Sequence, residues 1–155
     1  MLEIERKFLT KNKRWKEHIV KSEPIIQGYL ASASGNGITV RIRVTGQHGF
    51  MAFKGPRVGI SRTEYEYKVP INDAKSILLE SQAPTLKKVR HTVMHDGDEW
   101  VIDVYKGTNK GLTVAEIELN SEDQQFSVPE WIKEEVTGKL PYRNSRLAIK
   151  PYTAW

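Results

Sequence analysis

Eight segments of this chain read as strands, and in at least six of them one face is apolar while the other carries charge, with both signs present. Alternation with a period of two is the mark of a β-strand, because successive side chains leave opposite faces. The segments are Met1–Phe8, Ile25–Ala33, Ile38–Thr45, Phe50–Lys54, Ser61–Val69, Lys87–His95, Trp100–Lys106 and Leu112–Asn120. In the first, Glu3, Glu5 and Lys7 alternate with Leu2, Ile4 and Phe8, interrupted by Arg6. Arg41 and Arg43 oppose Val40, Ile42 and Val44, and Lys54 opposes Met51 and Phe53. Arg62, Glu64, Glu66 and Lys68 oppose Tyr65, Tyr67 and Val69. Lys88 and Arg90 oppose Val89 and Val93, Asp103 opposes Ile102 and Val104, and Glu116 and Glu118 oppose Ala115, Ile117 and Leu119.

The connections are mostly short. Gly35-Asn36-Gly37, Gly46–Gly49 and Asp96-Gly97 are hairpin signals, so the strands pair antiparallel. Five helical pieces are expected: Thr10–Val20 with Trp15 and Ile19 on one face, Asn72 or Asp73 to Gln82, and three in the tail. In the tail, Ser121 with Gln124 reads as a capping box, Pro129 suits a first turn before Trp131 and Ile132, and Asn144 caps a piece holding Leu147 and Ala148. A sheet this long tends to close. Its apolar face must be covered, and the helices can cover it from outside. The expectation is a mostly β (α+β) domain over residues 1–155: a closed eight-stranded antiparallel β-barrel with a charged interior and short helices outside. An open sheet with one solvated, salt-bridged face suits the same alternation.

A net charge of +5 favours an anionic partner such as a phosphate compound, nucleic acid or acidic surface. The absence of cysteine excludes a disulfide framework and thiolate metal sites. No apolar run approaches the roughly 20 residues that span a bilayer. A cytoplasmic protein without a membrane partner is expected.

Buried charge needs a use, because unpaired charge in an interior is costly. Clustered carboxylates hold hard divalent cations, and clustered Arg and Lys hold phosphate oxygens. A nucleic-acid-binding sheet suits Arg41, Arg43, Lys88 and Arg90, but the carboxylates on the same face repel phosphates unless metals intervene. His18, His48, His91 and His95 share no face at ligand spacing and read as surface or packing residues. Trp15, Trp100 and Trp131 read as core.

Glu3-Ile4-Glu5-Arg6-Lys7 resembles the E-x-E-x-K signature of the CYTH superfamily, the triphosphate tunnel metalloenzymes. Arg41-Ile-Arg43, Lys54-Gly-Pro, Arg62-Thr-Glu64-Tyr-Glu66, Lys88-Val-Arg90, Trp100-Val-Ile-Asp103 and Glu116-Ile-Glu118 follow in the family's order. Val136-Thr-Gly138 with Tyr142, Asn144, Leu147 and Ala148 completes the match. The chain departs at Ala52, where the family pattern has a hydroxyl residue.

The resemblance implies an eight-stranded tunnel and Mg²⁺- or Mn²⁺-dependent chemistry on triphosphates. The chain is short and compact, and looks like the small bacterial members that hydrolyse inorganic tripolyphosphate to pyrophosphate and phosphate. The resemblance implies that Glu3, Glu5, Glu116 and Glu118 ligate metal, with Asp103 a further ligand or a partner of one. Lys7, Arg41, Arg43, Lys54, Lys88 and Arg90 are implied to cradle phosphate, and Arg62 joins them as a substrate contact or a wall ion pair. Glu64 and Glu66 are implied tunnel residues with the same two options. Lys7, Tyr29, Glu5 and Glu118 are the residues placed at the chemistry; Tyr29 either orients Lys7 or packs. A water held by metal or oriented by a carboxylate attacks a terminal phosphorus in line. A class IV adenylate cyclase, another nucleoside or thiamine triphosphatase, and a non-catalytic polyphosphate- or RNA-binding module remain the alternatives. The residues do not fix the oligomeric state; a homodimer is one option.

Overall fold

The computed structural model describes residues 1–32 and 37–155. The expected strand end at Ala33 and the Gly35-Asn36 part of the following turn lie outside those residues. Nine strands form among them: β1 (Leu2–Thr10), β2 (Ile19–Ala31), β3 (Thr39–Thr45), β4 (His48–Lys54), β5 (Ser61–Val69), β6 (Thr85–His95), β7 (Asp98–Lys106), β8 (Thr113–Glu118) and β9 (Ile132–Glu135). The order is β5-β4-β3-β2-β6-β7-β8-β1-β9, and β1 also pairs with β5, which closes the eight-stranded barrel. Every pairing is antiparallel. β1 makes the closure by dividing one edge. Leu2–Ile4 pair with β5, and Phe8–Thr10 pair with the added strand β9. At the β6–β7 hairpin Asp96 and Gly97 have φ of 48° and 83°, the doubly positive pair that a two-residue turn of this kind demands.

The alternation sends its apolar set outward. Ile4, Phe8, Trp100, Ile102, Ala115 and Ile117 pack outside the barrel wall with Trp15, Leu119, Trp131 and Ile132. Trp100 is fully buried and meets Trp131 edge to face at 5.5 Å. Burying each such side chain contributes about 1.5–3 kcal/mol. Elsewhere α1 (Ile71–Glu80) covers β3 and β4. Gly49 permits that approach, because a Cβ there would lie 2.6 Å from Ala74 Cβ. Within the barrel, Leu86, Tyr105 and Val114 share the inward parity of Lys88, Asp103 and Glu116. They pack with Tyr29, Leu112 and Leu147 of α2 (Asn144–Leu147), so one end of the interior is apolar and filled.

Several local expectations differ from what forms. The helix expected over Thr10–Val20 is only a 3₁₀ turn, Arg14–His18, and β2 begins at Ile19. Pro24 therefore sits inside a strand instead of before it. It is tolerated because β3 pairs with β2 only from Ile25 onward, so the missing N–H is on an edge. The capping box at Ser121 opens no helix: Gln124 Oε1 accepts from the Asn120 N–H in a turn. Pro129 leads into β9, not a helix. Trp131 and Ile132 still bury, while Glu135 returns to Arg6 through a 2.6 Å ion pair. The second helix starts at Ile71 after Pro70, ahead of Asn72. Asn144 opens a short α2 without capping it, because its side chain accepts from the Tyr105 hydroxyl. No helix among the described residues is long and apolar enough to cross a membrane.

Candidate active site

The inward charges surround a cavity of about 310 Å³. Strand pairing sets their positions. On β1 and β8, Glu5 stands opposite Glu118 and Lys7 opposite Glu116. Glu3 faces Arg62 across β1 and β5, and Lys54 faces Glu64 across β4 and β5. Tyr29 faces Arg41, and Gln27 faces Arg43, across β2 and β3.

Carboxylates gather in one part of the cavity. Glu3 takes Lys54 at 3.0 Å and Arg62 at 2.9 Å. Lys54 also meets Glu64 at 2.7 Å, and Glu5 takes Arg57 at 3.0 Å. Glu118 has no Lys or Arg within ion-pair distance among the described residues. It is exposed overall, yet its carboxyl is pushed up, first by partial burial and then by the charges of Glu3, Glu64 and Glu5. Deeper in, Lys7 Nζ lies 3.2 Å from Glu116 Oε1, and Arg90 lies 3.3 Å from Glu116 Oε2.

Cations gather in the other part. Arg41 is buried and reaches Glu66 at 2.8 Å, while its Nε has no partner. Arg43 pairs with no carboxylate among the described residues. Burial, helped by Arg41 and Arg90, pulls its guanidinium down to about 9. Tyr29 lines this part with its hydroxyl accepting from Gln27, not from Lys7.

Lys88 and Asp103 stand apart from the other expected site residues, since neither lines the cavity. Both side chains are fully buried beneath it and pair at 2.6 Å. Asp103 also receives Arg90 Nε and a terminal nitrogen at 2.8 Å each. Burial pushes the Asp103 carboxyl up, but Arg90 and Lys88 outweigh it and hold the group well below the usual carboxylate range. Its oxygens are therefore already committed to three hydrogen bonds.

Alternation did not reveal Arg57, Gln27 or Arg143, which join the site. Arg57 and Arg143 lie on loops, where period two carries no information. Gln27 is uncharged, although its spacing from Tyr29 puts both on one strand face.

Among the described residues, no group of carboxylates and histidines stands ready to hold a metal ion, because Lys and Arg occupy most of the acidic oxygens. The donor set nevertheless fits a hard divalent cation. Oxygen ligands are in excess where Glu118 meets Glu3, Glu5 and Glu64, and a cation there would relieve the repulsion that raises Glu118. The cationic part fits an anion for the converse reason.

A family model described as "CYTH domain" matches residues 1–147. A curated protein of Acetivibrio thermocellus named inorganic triphosphatase is 39% identical over 151 residues, covering 97% of this chain and 95% of that protein. Another of the same name from Nitrosomonas europaea is 34% identical over 152 residues, covering 96% and 98%. The crystal structure of the inorganic triphosphatase NE1496 superposes with a TM-score of 0.68 at 32% identity, covering 94% of this chain and 93% of that one.

Proposed function

Because the chain belongs to the CYTH domain family, whose triphosphate tunnel metalloenzymes imply a divalent metal, we propose that it hydrolyses inorganic tripolyphosphate to pyrophosphate and phosphate with Mg²⁺ or Mn²⁺. The observation that carries this reading is the separation of charge within one cavity. A carboxylate excess around Glu118 adjoins a cation excess around Arg43. A metal-bound polyphosphate satisfies both at once. Glu3, Glu5, Glu116 and Glu118 would hold the metal. When bound, it supplies Lewis-acid polarisation of a phosphoryl oxygen and favours deprotonation of water. Arg41, Arg43, Lys7 and Arg90 present donors to the phosphate oxygens, and Lys54 and Arg62 balance the carboxylates until the metal arrives. Glu64 and Glu66 hold Lys54 and Arg41 in place. Asp103 acts from below, fixing Lys88 and Arg90. Phosphoryl transfer needs positioning and charge neutralisation more than covalent help, which a rigid barrel wall supplies.

A substrate panel tests this. Phosphate release from tripolyphosphate should exceed release from ATP, stop with EDTA and return with Mg²⁺. Cyclic AMP from ATP with no tripolyphosphate hydrolysis would replace the reading with a cyclase. Tight anion binding without turnover would replace it with a binding module.

A further inference from the structure

Gln27 is completely buried in the barrel wall, two residues before Tyr29 on β2. Its carboxamide bridges two groups of the cationic part of the site. Arg43 Nε donates to Gln27 Oε1 at 3.1 Å, and Gln27 Nε2 donates to the Tyr29 hydroxyl oxygen at 2.7 Å. The orientation of the amide is forced. Arginine nitrogens only donate, so the group beside Arg43 must be the carbonyl oxygen, and the amide NH₂ must face Tyr29. The phenol oxygen is thereby an acceptor, and its proton must leave in another direction. Tyr29 lines the cavity, its hydroxyl donates to no protein group among the described residues, and burial keeps the phenol protonated. With its Nε engaged, Arg43 presents its terminal nitrogens.

We propose that Gln27 is a positioning residue that turns the Tyr29 hydroxyl into a hydrogen-bond donor aimed at a phosphate oxygen, while holding Arg43 with its terminal nitrogens facing the same anion. The inference rests on the triphosphate reading. It adds that a neutral buried amide, not a charge, decides which way the tyrosine proton points. A carboxylate at this position would still accept from Arg43. It would also accept from the phenol, drawing the proton back into the wall.

The test is a cycle of Gln27→Glu and Tyr29→Phe, read as tripolyphosphate affinity of the metal-free protein by calorimetry. Tyr29→Phe should weaken binding on the order of tenfold in the native background, as expected for loss of one hydrogen bond to a charged group. In the Gln27→Glu background it should change affinity less than twofold, because the proton has already been withdrawn. The added negative charge weakens binding in both members of that pair and cancels from the comparison. An equal loss from Tyr29→Phe in both backgrounds, or no loss in the native one, overturns the proposal. Should Gln27→Glu not fold, Gln27→Met replaces it. The phenol then loses its fixed direction, and the Tyr29→Phe penalty should fall well below tenfold; an undiminished penalty overturns the proposal equally. Binding needs no turnover, so failure of this cycle is separate from failure of metal-dependent phosphate release.

Discussion

Glu5 and Glu118 stand directly opposite one another across β1 and β8, two carboxylates in register on the inward face. Like charges so placed destabilise a sheet. Arg57 answers Glu5 at 3.0 Å, while Glu118 is left with Glu3, Glu64 and Glu5 as its electrostatic neighbours.

Glu118 has a folded pKa above its ordinary value of 4.5, because burial and the neighbouring carboxylates disfavour its charge. The folded chain therefore binds more protons than the unfolded one in the window just above that value, and stability falls as pH rises through it. Glu118→Gln should raise the melting temperature of the metal-free protein at pH 7, and the gain should vanish once the pH falls well below 4.5. With Mg²⁺ present, the same variant should lose at least about tenfold in tripolyphosphatase rate, about 1.4 kcal/mol of transition-state stabilisation. Thermal melts across pH, paired with the rate assay, check both halves.

Asp103 should behave differently. Removing its charge leaves Lys88 and Arg90 in the wall without their shared partner. Asp103→Asn should cost about 3–5 kcal/mol of stability, the usual penalty for breaking a buried ion pair. Urea unfolding measures it. A cost below about 1 kcal/mol would mean that the three groups do not act as one network.

Ile117 lies on the outward face beside Glu116 and Glu118, is 2% exposed, and packs with Trp100. Ile117→Ala should cost about 2–5 kcal/mol by opening a cavity. The folded fraction should keep most of its specific activity, because no inward charge is touched. Denaturation and active-fraction-corrected rates separate the two effects.

Arg43 pairs with no carboxylate among the described residues, so its removal orphans no charge. Arg43→Ala removes a half-buried cation but leaves the buried Gln27 Oε1 without its donor, a loss of about 1–3 kcal/mol, so the melting temperature should not rise. The substitution should weaken tripolyphosphate binding by roughly 10- to 150-fold, the range for a lost charge-assisted hydrogen bond. Calorimetry on the metal-free protein reads the affinity.

The barrel wall was legible because period two reports a face directly. β5 runs over Ser61–Val69 as the alternation indicated, and the eight expected strands close into a barrel. Where the pattern is absent, the reading faltered. β9 offers only Ile132-Lys133-Glu134-Glu135, too short and too polar to alternate, and its burial comes from Trp131 and Ile132 meeting a surface built by other strands. The first part of β2 was obscured by Pro24, whose missing N–H matters only if a neighbour is present. Within the site, parity marked the inward charges on the strands but not Arg57 or Arg143 on loops, and parity could not show depth. Lys88 and Arg90 share a face, yet only Arg90 reaches the cavity, because the barrel interior at the level of Lys88 is filled by Tyr105 and its neighbours. Gln27 carried no charge to mark it, and its importance follows only from the two groups that it joins.

The central claim is that one cavity separates a metal-holding end from a phosphate-holding end. Anomalous diffraction at the manganese edge, from crystals grown with Mn²⁺ and tripolyphosphate, tests it most directly. The account predicts a manganese peak bounded by carboxylates of Glu3, Glu5, Glu116 and Glu118, with phosphate density extending from it to Arg41 and Arg43. Manganese on Asp103, or phosphate density outside the barrel, would contradict it.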